Sequence, residues 1–280
     1  MKAPPFSYVR ARSVNEALDC LTQHGTNAKL LAGGQSLMPA MNMRLATPDV
    51  LIDISRVTGL AGIRVEGNTV HIGALTTHAA IESSTEIRAT LPLLSDAVRH
   101  IAHPAIRNSG TVGGSLVMAD PAAEWPACCV ALNARFTLQS ANATREVAAR
   151  EFFTGPYATV IAADEMLTSI TITIPKPGTR HVFMELARRQ GDYAIVGVAA
   201  LAQTQSALTL AFLGASSTPV LATKTSQLFD LKGFSDTSLN EARITLATDL
   251  DPAADLYTSA EGKLHLAHVI TGRTLKALYA

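Results

Sequence analysis

Charge imbalance is the first thing this 280-residue sequence lacks: Lys+Arg and Asp+Glu stand at 23 each, and no basic run interrupts the chain. A protein that neutralises phosphates along a nucleic acid needs a cationic stripe, so nucleic-acid binding is excluded as a function class. Cysteine is scarce, with only Cys20, Cys128 and Cys129. An odd number without framework spacing points to reduced thiols, and a chain with so few cannot by itself supply the four ligands an iron–sulfur cluster takes. The adjacent pair lies in the apolar run "PACCVALNA" and reads as two small buried hydrophobes. Long apolar stretches are also missing. The longest, "AIVGVAALA" at 194–202, is too short to span a bilayer, and the opening "MKAPPFSYVRARS" has no apolar signal core. These features predict a soluble cytoplasmic protein without membrane insertion. Eight histidines form no H-E-x-x-H or comparable ligand set, and His100 and His103, at helical spacing about Ile101, are joined by no carboxylate in a recognisable pattern, so no metal site is predicted.

What is present suits a packed globular protein of two domains: 48% of residues are hydrophobic and 16% charged. "SVNEALDCLTQHG" predicts a helix capped by Ser13, with Glu16 completing a capping box and Gly25 ending it. "AKLLAG" and "PDVLIDIS" read as strands, and "IRVEGNTVHIGAL" as a hairpin. A helix is predicted over 91–102 and a second hairpin in "ARFTLQSANATREVAAREF". The alternation of "EMLTSITITIP" predicts a strand. "PKPG" at 175–178 marks a domain boundary. Beyond it, three antiparallel strands ("HVFMELARR", "IVGVAALAQ", "ALTLAFLGA") precede two helices, "SLNEARITLATDL" and "SAEGKLHLAHVITGRTLKALY". The fold class is α+β, with domains 1–175 and 176–280 and a boundary between two lobes of the first near 55–60.

Two apolar–Gly–Gly–polar segments stand out: "LLAGGQSLMPAMNMRL" at 30–45 and "TVGGSLVMADPAAE" at 111–124. Consecutive glycines leave backbone N–H groups uncovered, so phosphate oxygens can come close, and the hydroxyls of Ser36, Thr111 and Ser115 add donors. Neither segment is a Walker loop or a G-x-G-x-x-G turn. The duller reading makes each pair a tight turn at a strand end. Asp120 reads as a helix cap ahead of Pro121, and Glu124 as the ligand contact of the two. Met38, Met41 and Met43 read equally as core filling or as a partner surface.

"KLLAGGQSLMPAMNMRL" followed by "HPAIRNSGTVGGSLVMADPAAEWP", with "IGALTTHAAIE" and "ARRQGDYAIVGVAA", resembles the FAD-binding medium subunit of the molybdenum hydroxylase family, which includes carbon monoxide and xanthine dehydrogenases. The likeness runs over nearly the whole chain. It implies a two-lobed, PCMH-like FAD-binding domain followed by a smaller domain with a three-stranded antiparallel sheet and a helical bundle. It implies that FAD lies between the loops. Leu30, Leu31, Ala32, Gly33, Gly34, Gln35, Ser36 and Leu37 would wrap the diphosphate, and Thr111, Val112, Gly113, Gly114 and Ser115 would hold its other side. Glu124 would bond a cofactor hydroxyl, Ile101 and Leu167 would touch the rings, and Tyr193 would lie near the isoalloxazine. Three positions depart from the family pattern: Ser109 in "RNSG", Met118, and Glu185, which stands where some members carry a lysine that reaches the flavin. No residue here is expected to act as acid, base or nucleophile, since the cofactor carries the chemistry. The resemblance further implies a small [2Fe-2S] subunit and a large molybdopterin subunit as partners in an (αβγ)2 heterohexamer, with electrons passing through FAD to an external acceptor such as NAD, a quinone or oxygen. The competing readings are a standalone flavin-dependent oxidoreductase acting directly on a small molecule, and an assembly module without FAD.

Overall fold

The computed structural model describes residues 2–203 and 207–280; Met1, where the expected first domain begins, and residues 204–206, in the second, lie outside it. Strands β1 (Ser7–Arg10), β2 (Ala28–Leu31) and β3 (Val50–Asp53) form a parallel sheet in the order β1-β3-β2. β3 is central and buried along its whole length, which is why it reads as a continuous apolar run. The helix Val14–His24 crosses between β1 and β2 and buries Ala17, Leu18 and Leu21 on one face. Ser13 caps it by accepting the Glu16 N–H at 3.1 Å, but Glu16 Oε2 accepts the Arg12 N–H at 2.7 Å instead of that of Ser13, so only half of the expected capping box forms. Asp53 closes β3 and accepts the Tyr8 hydroxyl and the Ser55 N–H, so its buried carboxylate is satisfied.

The larger lobe is an antiparallel sheet. Its strands are β4 (Ile63–Glu66), β5 (Thr69–Gly73), β6 (Arg135–Gln139), β7 (Thr144–Ala148) and, after the short ribbon β8 (Phe153–Gly155) and β9 (Ala158–Thr159), β10 (Met166–Thr173). They lie in the order β4-β5-β10-β6-β7. A bulge between Leu167 and Ser169 re-phases β10, so that Leu167 and Ile170, three apart, both face the core. Short helices between β5 and β6 cover this sheet. The helix expected over 91–102 runs only from Pro92 to Ala97. Residues 98–100 continue as turns, Ala102 takes a left-handed φ of +44°, and His103, held extended by Pro104, starts a new short helix. His100 and His103 therefore do not share a helix.

The remaining sheet has the three expected strands, β11 (Arg180–Ala187), β12 (Ala194–Ala202) and β13 (Leu208–Leu213), plus a two-residue β14 (Val220–Leu221), in sequential order. Helices Thr223–Lys232, Asp236–Asp249 and Ala260–Tyr279 pack with it. The first of these was not expected, because it buries only Thr225, Ser226 and Phe229 and so carries almost no apolar stripe. Helix Glu124–Ala131 of the larger lobe packs against β12 and β13. It is buried along its whole length, so Ala127, Cys128, Cys129 and Ala131 serve as small side chains at a close junction. Burial pushes the Cys129 thiol up to about 12 and raises that of Cys128 well above the usual thiol range, so both are inert, as read from the sequence.

Candidate cofactor site

β2 ends at Leu31, and the chain bends through residues 32–36 into the helix Leu37–Asn42. Gly34 takes φ +70°, which its missing Cβ permits. The backbone N–H groups of residues 33–37 have no acceptor among the described residues, whereas Met38 and Ala40 donate to the Gly34 and Ser36 carbonyls at 3.1 Å each. Ser36 is exposed and makes no capping hydrogen bond of its own. A run of unbonded donors at the end of a parallel strand fits an anionic diphosphate, because each oxygen can accept several of them.

The second loop is built differently. Thr111 caps the helix Val112–Met118 by accepting the Gly114 N–H at 3.0 Å. Val112 N–H and Gly113 N–H donate to the carbonyls of Thr76 and Ala74, each at 2.9 Å, and Ser115 N–H to that of Thr111 at 3.0 Å. The expectation of uncovered N–H groups thus holds for the first loop and fails for the second, whose glycine donors are spent on the Ala74 carbonyl and the Thr111 cap. Gly113 serves packing. A Cβ on Gly113 would lie 2.6 Å from both Ala74 Cβ and the Ala74 carbonyl oxygen. Gly33 also serves packing: its Cβ would overlap the Ser109 carbonyl oxygen and lie 2.9 Å from Gly110 Cα. The two loops therefore abut, and bare backbone at 33 and 113 admits other protein backbone.

Ile101 and Leu167 are 9% and 4% exposed and belong to the core of the larger lobe. Tyr193, at the end of the β11–β12 connection, is 71% exposed. Glu124 opens its helix at 8% exposure, and burial, then the neighbouring Glu185 carboxylate, push its carboxyl up to about 8. At neutral pH it carries its proton and can donate. Glu185 lies on β11, with Oε1 3.3 Å from His100 Nδ1 and the buried Oε2 without a partner among the described residues. Asp120 caps no helix: Ala123 holds the N-cap position, and Asp120 Oδ1 accepts the Ala122 N–H at 2.9 Å in a tight turn. The methionines divide, with Met41 in the core and Met43 exposed. Among the described residues there is no group of three or more metal-ligating side chains, and no helix is long and apolar enough to cross a membrane.

Two residues beside the second loop escaped the sequence reading. Arg107 is buried among polar partners, and His78 packs against Gly110 while accepting the Trp125 indole N–H on Nδ1 at 2.9 Å. That bond assigns the ring proton to Nε2. Burial, then the nearby Arg107 charge, lower the His78 imidazole to about 4. The neutral ring is thus the folded form. As pH falls from 6.5 toward about 4, the unfolded chain takes up a proton that the folded chain refuses. We expect His78→Gln to be progressively favoured over the parent chain across that range, by up to about 1.4 kcal/mol per pH unit. Urea unfolding of both proteins checks this; parallel pH profiles would contradict it.

A flavoprotein is the class that matches this fold and loop pair. Residues 4–177 match the family model described as the FAD binding domain in molybdopterin dehydrogenase, and residues 181–278 that of the CO dehydrogenase flavoprotein C-terminal domain. The chain is 38% identical to the 6-hydroxypseudooxynicotine dehydrogenase complex subunit alpha of Paenarthrobacter nicotinovorans, covering 100% of this chain and 96% of that one. It superposes with a TM-score of 0.95 at 37% identity on carbon monoxide dehydrogenase from Hydrogenophaga pseudoflava, covering 100% and 99% of the two chains. Quinoline 2-oxidoreductase from Pseudomonas putida 86 gives 0.94 at 33% identity, covering 99% and 98%. The chain belongs to the FAD-binding medium subunits of the molybdenum hydroxylase family. It is the FAD subunit of an oxidoreductase complex.

Proposed function

We propose that this chain is the electron-transfer subunit of its complex and holds FAD at the abutting loops. The run of unbonded N–H groups at residues 33–37 carries the reading, because it supplies the donors a diphosphate needs without a lysine. Leu30 and Leu31 lead into the cradle, and residues 32–37 form it. Thr111 to Ser115 brace it from the other side, with the Ser115 hydroxyl as a further donor. Glu124, protonated, donates to a cofactor hydroxyl; Ile101 and Leu167 give the rings an apolar floor; Tyr193 and Glu185 border them from the second domain. Bound FAD would supply redox chemistry, accepting electrons from the [2Fe-2S] clusters of a small subunit and delivering them to an external acceptor. This chain's own work is to bind, orient and shield the cofactor. Its three cysteines leave cluster ligation to a partner. A molybdopterin large subunit completes an (αβγ)2 assembly in the cytoplasm, and the chain divides between cofactor domain and second domain at 175/176.

The test is Ser36→Asp. Aspartate is as good an N-cap as serine, so the helix Leu37–Asn42 keeps its start, but a negative charge then stands among the donors. FAD affinity should fall about tenfold or more, with the unfolding midpoint unchanged. Titration of the full chain followed by flavin fluorescence decides it, and wild-type affinity would remove residues 33–37 from the site.

A further inference from the structure

Both glycine loops and the turn that carries Tyr193 converge on residues 101–110, and one side chain holds that stretch. Arg107 Nη1 donates to the carbonyls of Ile101 and Ala102 at 3.0 and 3.2 Å, while Nε and Nη2 take the two oxygens of Glu82 at 2.9 and 3.2 Å. Glu82 lies one turn beyond His78 on the helix His78–Ser83, so the two share a face. His78 N–H donates to the Gly110 carbonyl at 3.0 Å, and a Cβ on Gly110 would lie 2.8 Å from the His78 ring. One helix face thus grips the stretch at both ends. Toward the second domain, the left-handed bend at Ala102 receives Gly191, which has φ +76° and whose Cβ would lie 2.5 Å from the Ala102 carbonyl oxygen. Toward the smaller lobe, Ser109 and Gly110 receive Gly33.

We propose that Arg107 is a positioning residue of the cofactor site: by fixing the 101–102 bend relative to Ser109–Gly110, it sets the distance between the Tyr193 turn and the Gly33 loop. The proposal rests on the reading that those two segments border the cofactor. Only a guanidinium can do this, because its planar fork meets two carbonyls and a carboxylate together, whereas an ammonium is a single point of attachment. Gly191 belongs to the same device, since the turn it carries reaches the first domain through the bend that Arg107 holds.

The experiment is a double-variant cycle on the full chain with Arg107→Lys and Gly191→Ala, reading the FAD dissociation constant and the rate of tryptic cleavage after Arg188 and Arg189. Each single variant should weaken FAD about tenfold and speed cleavage several-fold. The double variant should be little worse than either, because both act through one bend. A residue that merely stabilised the fold would give losses that multiply. Multiplying losses, or wild-type affinity in Arg107→Lys, would overturn the proposal. Should Arg107→Lys not fold, Glu82→Gln, which loosens the same fork without emptying it, takes its place in the cycle. Ser36→Asp separates the two failures: normal FAD binding there defeats the underlying reading, whereas loss of FAD there with none in Arg107→Lys defeats only the role of Arg107.

Discussion

Gly33→Ala is expected to cost the chain about 4 kcal/mol or more of folding stability, together with its FAD. The added methyl would overlap the Ser109 carbonyl oxygen and stand 2.8 Å from its carbon. Backbone cannot swing aside as a side chain can, so the smaller lobe and the second loop must part. Gly34→Ala is the control. Its left-handed φ costs alanine about 1 kcal/mol, and the nearest atoms, Leu31 Cδ1 at 3.2 Å and Met38 Cγ at 3.3 Å, belong to side chains that can yield. Urea midpoints of the two variants rank them, and a Gly34→Ala loss equal to or above that of Gly33→Ala would show that the loops do not abut at Gly33.

Gly113→Ala should cost about 3 kcal/mol. Its methyl meets Ala74 at the end of β5, where the Gly113 N–H also donates, so relief of the overlap breaks a hydrogen bond as well. The neighbouring Gly114→Ala meets only the Thr111 hydroxyl at 2.8 Å and puts at risk no more than that cap, about 1 kcal/mol, offset by the better helix propensity of alanine. Thermal unfolding followed by circular dichroism reads both. Equal melting points would mean that the Val112–Met118 helix can slide over β5, contrary to the packing described.

Much of the fold is written in local signals, whereas the partners of the glycines are not. The α+β order, both hairpins, the Ser13 cap and the buried cysteines were legible because alternation, turn residues and caps are local signals. The glycine pairs were legible as special backbone. Which of them meets protein and which remains open was not, because the partners of Gly33 and Gly113 are Ser109 and Ala74, far away in the chain. The helix over 91–102 was overdrawn for a related reason. Val98 and Ile101 keep an apolar spacing, but the chain needs a left-handed bend at Ala102 that periodicity does not announce. Helix Thr223–Lys232 was missed because its buried face is Thr225, Ser226 and Phe229. Arg107 and His78 went unread because an isolated arginine or histidine signals nothing until its carbonyls, carboxylate or indole are in place.

Glu124 and His78 lie on opposite sides of their ordinary titration points, and the two displacements oppose each other. When the chain folds at mildly acidic pH, the carboxyl captures a proton that its unfolded form would have released, while the imidazole sheds one that its unfolded form would have kept. Between about 4.5 and 6.5 these exchanges cancel, so this pair leaves folding blind to acidity there. Above 6.5 the imidazole falls silent, and the carboxyl alone withdraws support from the fold until about 8. Alkalinity, more than acid, is the direction in which these two groups leave the unliganded subunit vulnerable.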